Sequence, residues 1–163
     1  MDLIKRPGPL DRLEKGMRIV AAVSLFGMAL LTGADVAMRG FFNTPIFGSE
    51  ELVSILGVIA VGFALPYTHA QKSHIGVEIF YRKFSRRVRS GIKLMTTTAT
   101  LFLIVIVTWR MTIYAMTQAR SGEVSMNLEL PEYIIIYVLA FGFLAYAVSL
   151  LKDIILFFKG REA

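Results

Sequence analysis

The sequence predicts an all-α membrane protein with four transmembrane helices, both termini cytoplasmic, and an amphipathic interfacial helix between spans two and three. Three observations carry that expectation. The chain is 55% hydrophobic and only 18% charged, with a mean hydropathy of +0.61. Its apolar runs reach about 20 residues, the length an α-helix needs to cross a bilayer. Lys and Arg are abundant at the N-terminus, sparse in the next connection, abundant in the central one, sparse again, and abundant at the C-terminus. Basic connections stay cytoplasmic, so this alternation orients four spans without exception.

Composition also narrows the function. The net charge of +6 sits beside apolar spans, where an anionic leaflet retains it. The partners implied are therefore membrane lipids and not nucleic acid. The absence of cysteine removes disulfides, thiolate metal sites and cysteine nucleophiles. No P-loop, HExxH, G-x-S-x-G or dinucleotide fingerprint occurs, and no Ser or Asp forms a candidate nucleophile beside a base. No catalytic residue, cofactor or metal site is expected, and residues 1–163 read as a single four-helix membrane domain.

The elements follow in order. Residues 1–16 are polar, and Pro7 and Pro9 discourage helix at the very start. Leu10, Leu13 and Met17 share one helical face, which predicts a short interfacial lead-in. The apolar run of span one (17–38) follows Lys5, Arg6, Arg12, Lys15 and Arg18. It is too long for the hydrophobic region of a cleaved signal and reads as a retained anchor. In it Ala29, Gly33 and Ala37 recur every four residues, a stripe that lets a partner helix approach closely. Asp35 and Arg39 are i,i+4 neighbours able to pair.

Residues 40–48, with Asn43-Thr44-Pro45, form a short turn that makes spans one and two antiparallel neighbours. Span two (50–70) opens on Glu50 and Glu51, where the helix dipole favours anions. Pro66 leaves the Gly62 carbonyl without its usual donor, so a kink is expected between them. Over 75–89, Val77, Phe80, Tyr81, Phe84 and Val88 lie on one face. Arg82, Arg86 and Arg89, flanked by Lys83 and Arg87, make the other face basic. That is the pattern of a helix lying flat on the inner membrane surface.

Span three (92–115) carries Arg110 about 25 Å along the axis from Lys93 at 1.5 Å per residue. Arg110 thus falls near the outer edge, with Trp109 and Tyr114 suited to an interfacial aromatic belt. The second outer loop covers 117–130. Span four (131–158) starts at Pro131, a good first helical residue, with Glu132 in the first turn.

Five charges share one depth: Asp35, Arg39, Glu50, Glu51 and Arg110. Charges in spans usually face protein or water. The expectation is that Arg110 pairs with Glu50, Glu51 or Asp35 and holds the helices in register. An ion or proton path is the competing reading, but nothing continues it across the inner half. His69 and His74 lie at one helix end and cannot bracket one haem iron from opposite sides. A His/Met pair keeps a haem- or quinone-associated membrane anchor of an oxidoreductase as the alternative, with a stand-alone four-helix channel third.

The chain resembles the small, four-span DctQ-like membrane subunit of tripartite ATP-independent periplasmic (TRAP) transporters. The residues that carry the resemblance are Ala34-Asp35-Val36-Ala37-Met38-Arg39 closing span one and Gly48-Ser49-Glu50-Glu51-Leu52 opening span two. His69 with Ser73-His74-Ile75-Gly76-Val77-Glu78-Ile79 follows, then Leu130-Pro131-Glu132-Tyr133 opening span four. The resemblance implies a non-catalytic subunit in a bacterial or archaeal cytoplasmic membrane. It implies as partners a large multi-span subunit, which carries substrate and sodium by an elevator-like motion, and a periplasmic solute-binding protein, which delivers an organic acid. The small subunit would be the fixed scaffold beside the moving part, its outer loops helping to dock the binding protein.

Overall fold

The computed structural model describes residues 9–70 and 86–159. They form four helices: α1 (Pro9–Phe42), α2 (Ser49–Ala70), α3 (Arg86–Ser121) and α4 (Glu132–Phe158). Each is long and apolar enough to cross a membrane. No strand occurs among the described residues; the nearest thing is one isolated bridge, Val124 to Pro131. The helices pack in the order α1, α2, α4, α3, so α2 lies between α1 and α4 while α3 rests on α4 alone among its substantial neighbours.

The seams are built from small side chains. Buried positions include Ala21, Ala60, Ala115, Ala140, Ala145, Ala147, Ser24 and Ser149. Between membrane helices, whose lipid surroundings are as apolar as leucine, close van der Waals approach replaces the hydrophobic effect as the driving force. The tightest approach joins α2 to α4. A Cβ built on Gly142 would lie 2.5 Å from the backbone oxygen of Gly62, so only glycine fits there. Pro66 is fully buried one turn further on, and α2 remains helical through it to Ala70.

Two boundaries differ from the sequence expectation. The lead-in at 10–16 is no separate element: it continues into span one as the first turns of α1. Its inward face is Glu14, Met17, Ala21 and Ser24, all buried, while Leu13 is exposed. The surface helix expected over 75–89 falls for residues 75–85, Arg82 and Lys83 included, outside the described residues. Arg86, Arg87 and Arg89 belong by backbone to the first turn of α3. Nothing from Arg86 to Ile92 breaks a helix strongly enough to delay the start of α3 to Ile92; Gly91 alone costs only about 1 kcal/mol relative to Ala.

Along α3 the hydroxyls of Thr100, Thr108 and Thr112 donate to the carbonyls of Thr96, Ile104 and Thr108 at 2.8–2.9 Å. These polar side chains are thus satisfied inside their own helix, and α3 can carry them across an apolar medium.

Two ends result. The turn end carries the 43–48 and 122–131 connections. The basic end carries the start of α1, the end of α2, the start of α3 and the end of α4.

Candidate functional site

At the turn end Asp35, Arg39 and Glu50 come together. Asp35, buried on α1, accepts the Ile46 backbone N–H at 2.7 Å through Oδ1 and pairs with Arg39 Nε at 2.7 Å through Oδ2. The buried Ser49 lines the same small cleft as Asp35, Arg39 and Glu50. Arg39 spans the gap to α2, its Nη2 lying 3.1 Å from Glu50 Oε1. One carboxylate therefore closes the α1–α2 turn while one guanidinium ties the two helices. Asn43 ends α1 in the left-handed region at φ 53°, its N–H reaching the Arg39 carbonyl at 3.2 Å.

Glu51, one residue on, serves the other connection. Its Oε1 accepts Asn127 N–H at 2.7 Å and its Oε2 accepts Leu128 N–H at 3.0 Å. The 122–131 loop is further closed by Ser125 N–H to Leu130 O at 2.9 Å and by Leu130 N–H to Ser125 Oγ at 3.2 Å. Gln118, buried on α3, hydrogen-bonds Glu123. Gly48 has φ 69°, and a Cβ there would strike the Leu128 side chain at 2.6 Å, so the two connections interlock at this glycine. At the tip of the loop Met126 is 97% exposed.

Arg110 does not join this cluster. It lies on an exposed face of α3, and α3 is held away from α1 and α2 by α4. The described ion pairs join Asp35 to Arg39, Arg39 to Glu50, His69 to Asp153 and Asp11 to Lys152. The expected pairing of Arg110 with Asp35, Glu50 or Glu51 is corrected accordingly: lateral helix order, invisible to a depth argument, separates them.

Ala29, Gly33 and Ala37 are all exposed on α1, and a Cβ at Gly33 would meet nothing within 4 Å. Gly62 belongs to the α2–α4 contact described above, and Pro66 is buried one turn further along α2. At the basic end His69 Nε2 lies 3.1 Å from Asp153 Oδ2, with its ring edge-on to Tyr146 at 5.5 Å. Arg18 donates to Tyr67 Oη at 2.9 Å, Lys152 Nζ to Asp11 Oδ1 at 2.6 Å, and Ser149 Oγ to Glu14 Oε1 at 2.6 Å. His74 lies outside the described residues.

The charges thus sit at the two ends. From Ile19 to Ala34, Leu52 to Thr68, Leu94 to Trp109 and Tyr133 to Leu151 there is no Asp, Glu, Lys, Arg or His. Asp35, Glu50 and Glu51 are engaged by a guanidinium or by backbone N–H groups, so the arrangement clamps helix ends and loops and offers no stepping stones between them. The His69–Asp153, Glu14–Ser149 and Arg18–Tyr67 contacts carried no local signal in the sequence, because each joins residues far apart in the chain.

A bundle of four apolar helices, clamped by ionic contacts at both ends and free of charge between them, is the architecture of an integral membrane subunit. The family model for tripartite ATP-independent periplasmic transporters, DctQ component, matches residues 28–160. The chain belongs to that family and is a small membrane subunit of a TRAP transporter. Among curated proteins no sequence matches it.

Proposed function

We propose that this chain is the passive brace of a sodium-coupled uptake system for organic acids. It holds a large, moving transport subunit in the cytoplasmic membrane and has no catalytic role. Both termini are cytoplasmic in this reading, the turn end faces the periplasm, and 75–89 lies on the inner surface. The observation that carries the proposal is the small-residue stripe of α1. Ala29, Gly33 and Ala37 stay exposed in the isolated chain, although such stripes are how membrane helices approach one another. The large subunit is the occupant that family membership implies.

The 122–131 loop supports the second half of the proposal. Loops positioned by a rigid scaffold and presenting an apolar tip are suited to recognition, and Glu51 holds this one with Met126 outermost. We assign it to contact with the periplasmic solute-binding protein. The oxidoreductase-anchor alternative is not favoured, because the family model that matches the chain is that of a transporter component.

Co-purification tests the brace. Leu at Ala29, Gly33 and Ala37 together is expected to abolish capture of the large subunit while the variant keeps its helical circular dichroism. Undiminished capture would refute the assignment of this face. Flux of solute from the chain reconstituted alone would refute the passive role.

A further inference from the structure

Arg110 is a charge that the described fold leaves without an electrostatic partner. It is exposed on α3, and none of the apolar window of that helix is buried. No salt bridge or hydrogen bond reaches it from the described residues. An unpaired guanidinium in hydrocarbon is costly, and such residues usually find an anion or reach water along a flexible stem. The anion remains to be identified.

Its surroundings identify it. On the same face of α3, one or two turns away, stand Leu103 (58% exposed), Ile106 (43%), Ile113 (42%) and Tyr114 (56%). Trp109, the adjacent residue, is 67% exposed. These are large side chains, unlike the Ala/Gly stripe of α1, and large side chains keep another helix at a distance. Arg110 also sits about 25 Å along the axis from Lys93, within the roughly 30 Å hydrocarbon thickness and near its far edge. Trp and Tyr concentrate at that depth, where an apolar ring and a polar edge meet the headgroups.

We propose that Arg110, with Trp109 and Tyr114 beside it, binds the phosphate of a phospholipid in the leaflet at the turn end, and that this face of α3 is turned to lipid. Arg is matched to phosphate by its planar fork of donors. An anionic headgroup adds attraction, so phosphatidylglycerol is favoured over phosphatidylcholine. The inference needs only that the helices cross the membrane; it does not depend on the solute or on the brace role.

Trp109 is the only tryptophan of the chain, so its fluorescence reports on the site. The full chain is reconstituted in phosphatidylcholine vesicles with brominated phosphatidylglycerol or brominated phosphatidylcholine as quencher. The expected result is a preference for phosphatidylglycerol of about fivefold beside Trp109. It falls to parity in Arg110→Gln and is largely kept in Arg110→Lys. Parity in the wild-type chain, or an undiminished preference in Arg110→Gln, would overturn the proposal. In the assembled transporter, a nitroxide at Ile113→Cys should remain accessible to oxygen dissolved in the lipid. Loss of that accessibility on assembly would make a partner protein the occupant and defeat the lipid assignment. Failure of the Ala29/Gly33/Ala37 test would leave this result unaffected.

Discussion

Gly142 on α4 meets the backbone of α2 at Gly62, so that a Cβ on Gly142 would stand 2.5 Å from the Gly62 carbonyl oxygen and 2.8 Å from its carbon. That carbonyl is the one Pro66 deprives of its helical N–H donor. The proline therefore releases an oxygen on the face that α4 approaches most closely, and glycine on α4 lets the two backbones meet. Cα–H groups opposite such oxygens contribute modestly at helix–helix contacts. The larger consequence is steric.

A methyl group at Gly142 has backbone in its path, whereas one at Gly62 meets chiefly the Leu139 Cδ1 end of a flexible side chain at 2.8 Å. Gly142→Ala is expected to destabilise the bundle by about 1–3 kcal/mol, the usual range for overpacking. Gly62→Ala should cost less, because Leu139 can turn aside. Thermal or denaturant unfolding in detergent, followed by circular dichroism, ranks the two. Equal melting of both variants would show that α2 and α4 do not pack backbone to backbone here.

Glu51 was legible in the sequence as a residue suited to a helix N-terminus and as one of three candidate partners for Arg110. Its actual partners, the Asn127 and Leu128 N–H groups, lie 76 and 77 residues away. Glu51→Ala should free the 122–131 loop while leaving the four helices formed. Amide hydrogen exchange is the measurement: Asn127 and Leu128 should exchange much faster in the variant, with the middle of α4 unchanged. Glu51→Gln keeps one acceptor oxygen and should fall between. Slow exchange in Glu51→Ala would mean that the Ser125–Leu130 hydrogen bonds suffice to hold the loop.

These cases show what kind of information the sequence carried. The number and order of the four long apolar helices were readable because bilayer thickness imposes a length on each apolar run. The start of α4 was readable because Pro131 and Glu132 signal it locally. The Asp35–Arg39 contact was a one-turn relation and equally local. Side-by-side order was not readable. Depth alone placed Arg110 level with Asp35 and Glu51, yet α4 stands between their helices. Leu10, Leu13 and Met17 were readable as one apolar face of the first turns, yet of these Leu13 is exposed and Met17 buried. The bundle instead turns Glu14 inward, because Ser149 on α4 offers it a hydrogen bond.

That inward carboxylate makes a sharper test at the basic end. Glu14 and Ser149 are both buried, and the Ser149 hydroxyl donates to Glu14 Oε1 at 2.6 Å while also reaching the Ala145 carbonyl at 3.2 Å. Ser149→Ala removes the donor and leaves a buried carboxylate without it, at a cost of about 1–3 kcal/mol. Glu14→Gln, which keeps a hydrogen-bond acceptor of similar shape, should cost less. The double variant Glu14→Leu/Ser149→Ala should recover part of the loss, since removing both polar partners can be nearly neutral. Unfolding midpoints of these variants and of Glu14→Leu alone supply the comparison, and losses in the double variant equal to the sum of the Glu14→Leu and Ser149→Ala losses would show that the two residues do not interact.

Orientation gives the last prediction, and the cysteine-free chain makes it direct. Met126→Cys places a thiol at the most exposed tip of the turn end, where the native side chain is 97% exposed. If basic connections are retained in the cytoplasm, a membrane-impermeant maleimide added to intact cells should modify Met126→Cys at once. Lys159→Cys, at the exposed end of α4, should react only after the membrane is opened, and so should Arg82→Cys in the central basic connection. The opposite pattern would invert the whole bundle. It would carry the Glu51-clamped loop to the cytoplasm, away from any periplasmic partner. Labelling of all three from outside would mean that the chain does not seal the membrane in the way four antiparallel spans require. The expected pattern has a further consequence for Met126. Once it is placed outside, a bulky label on that residue should weaken binding of the solute-binding protein to the assembled transporter while leaving assembly itself intact.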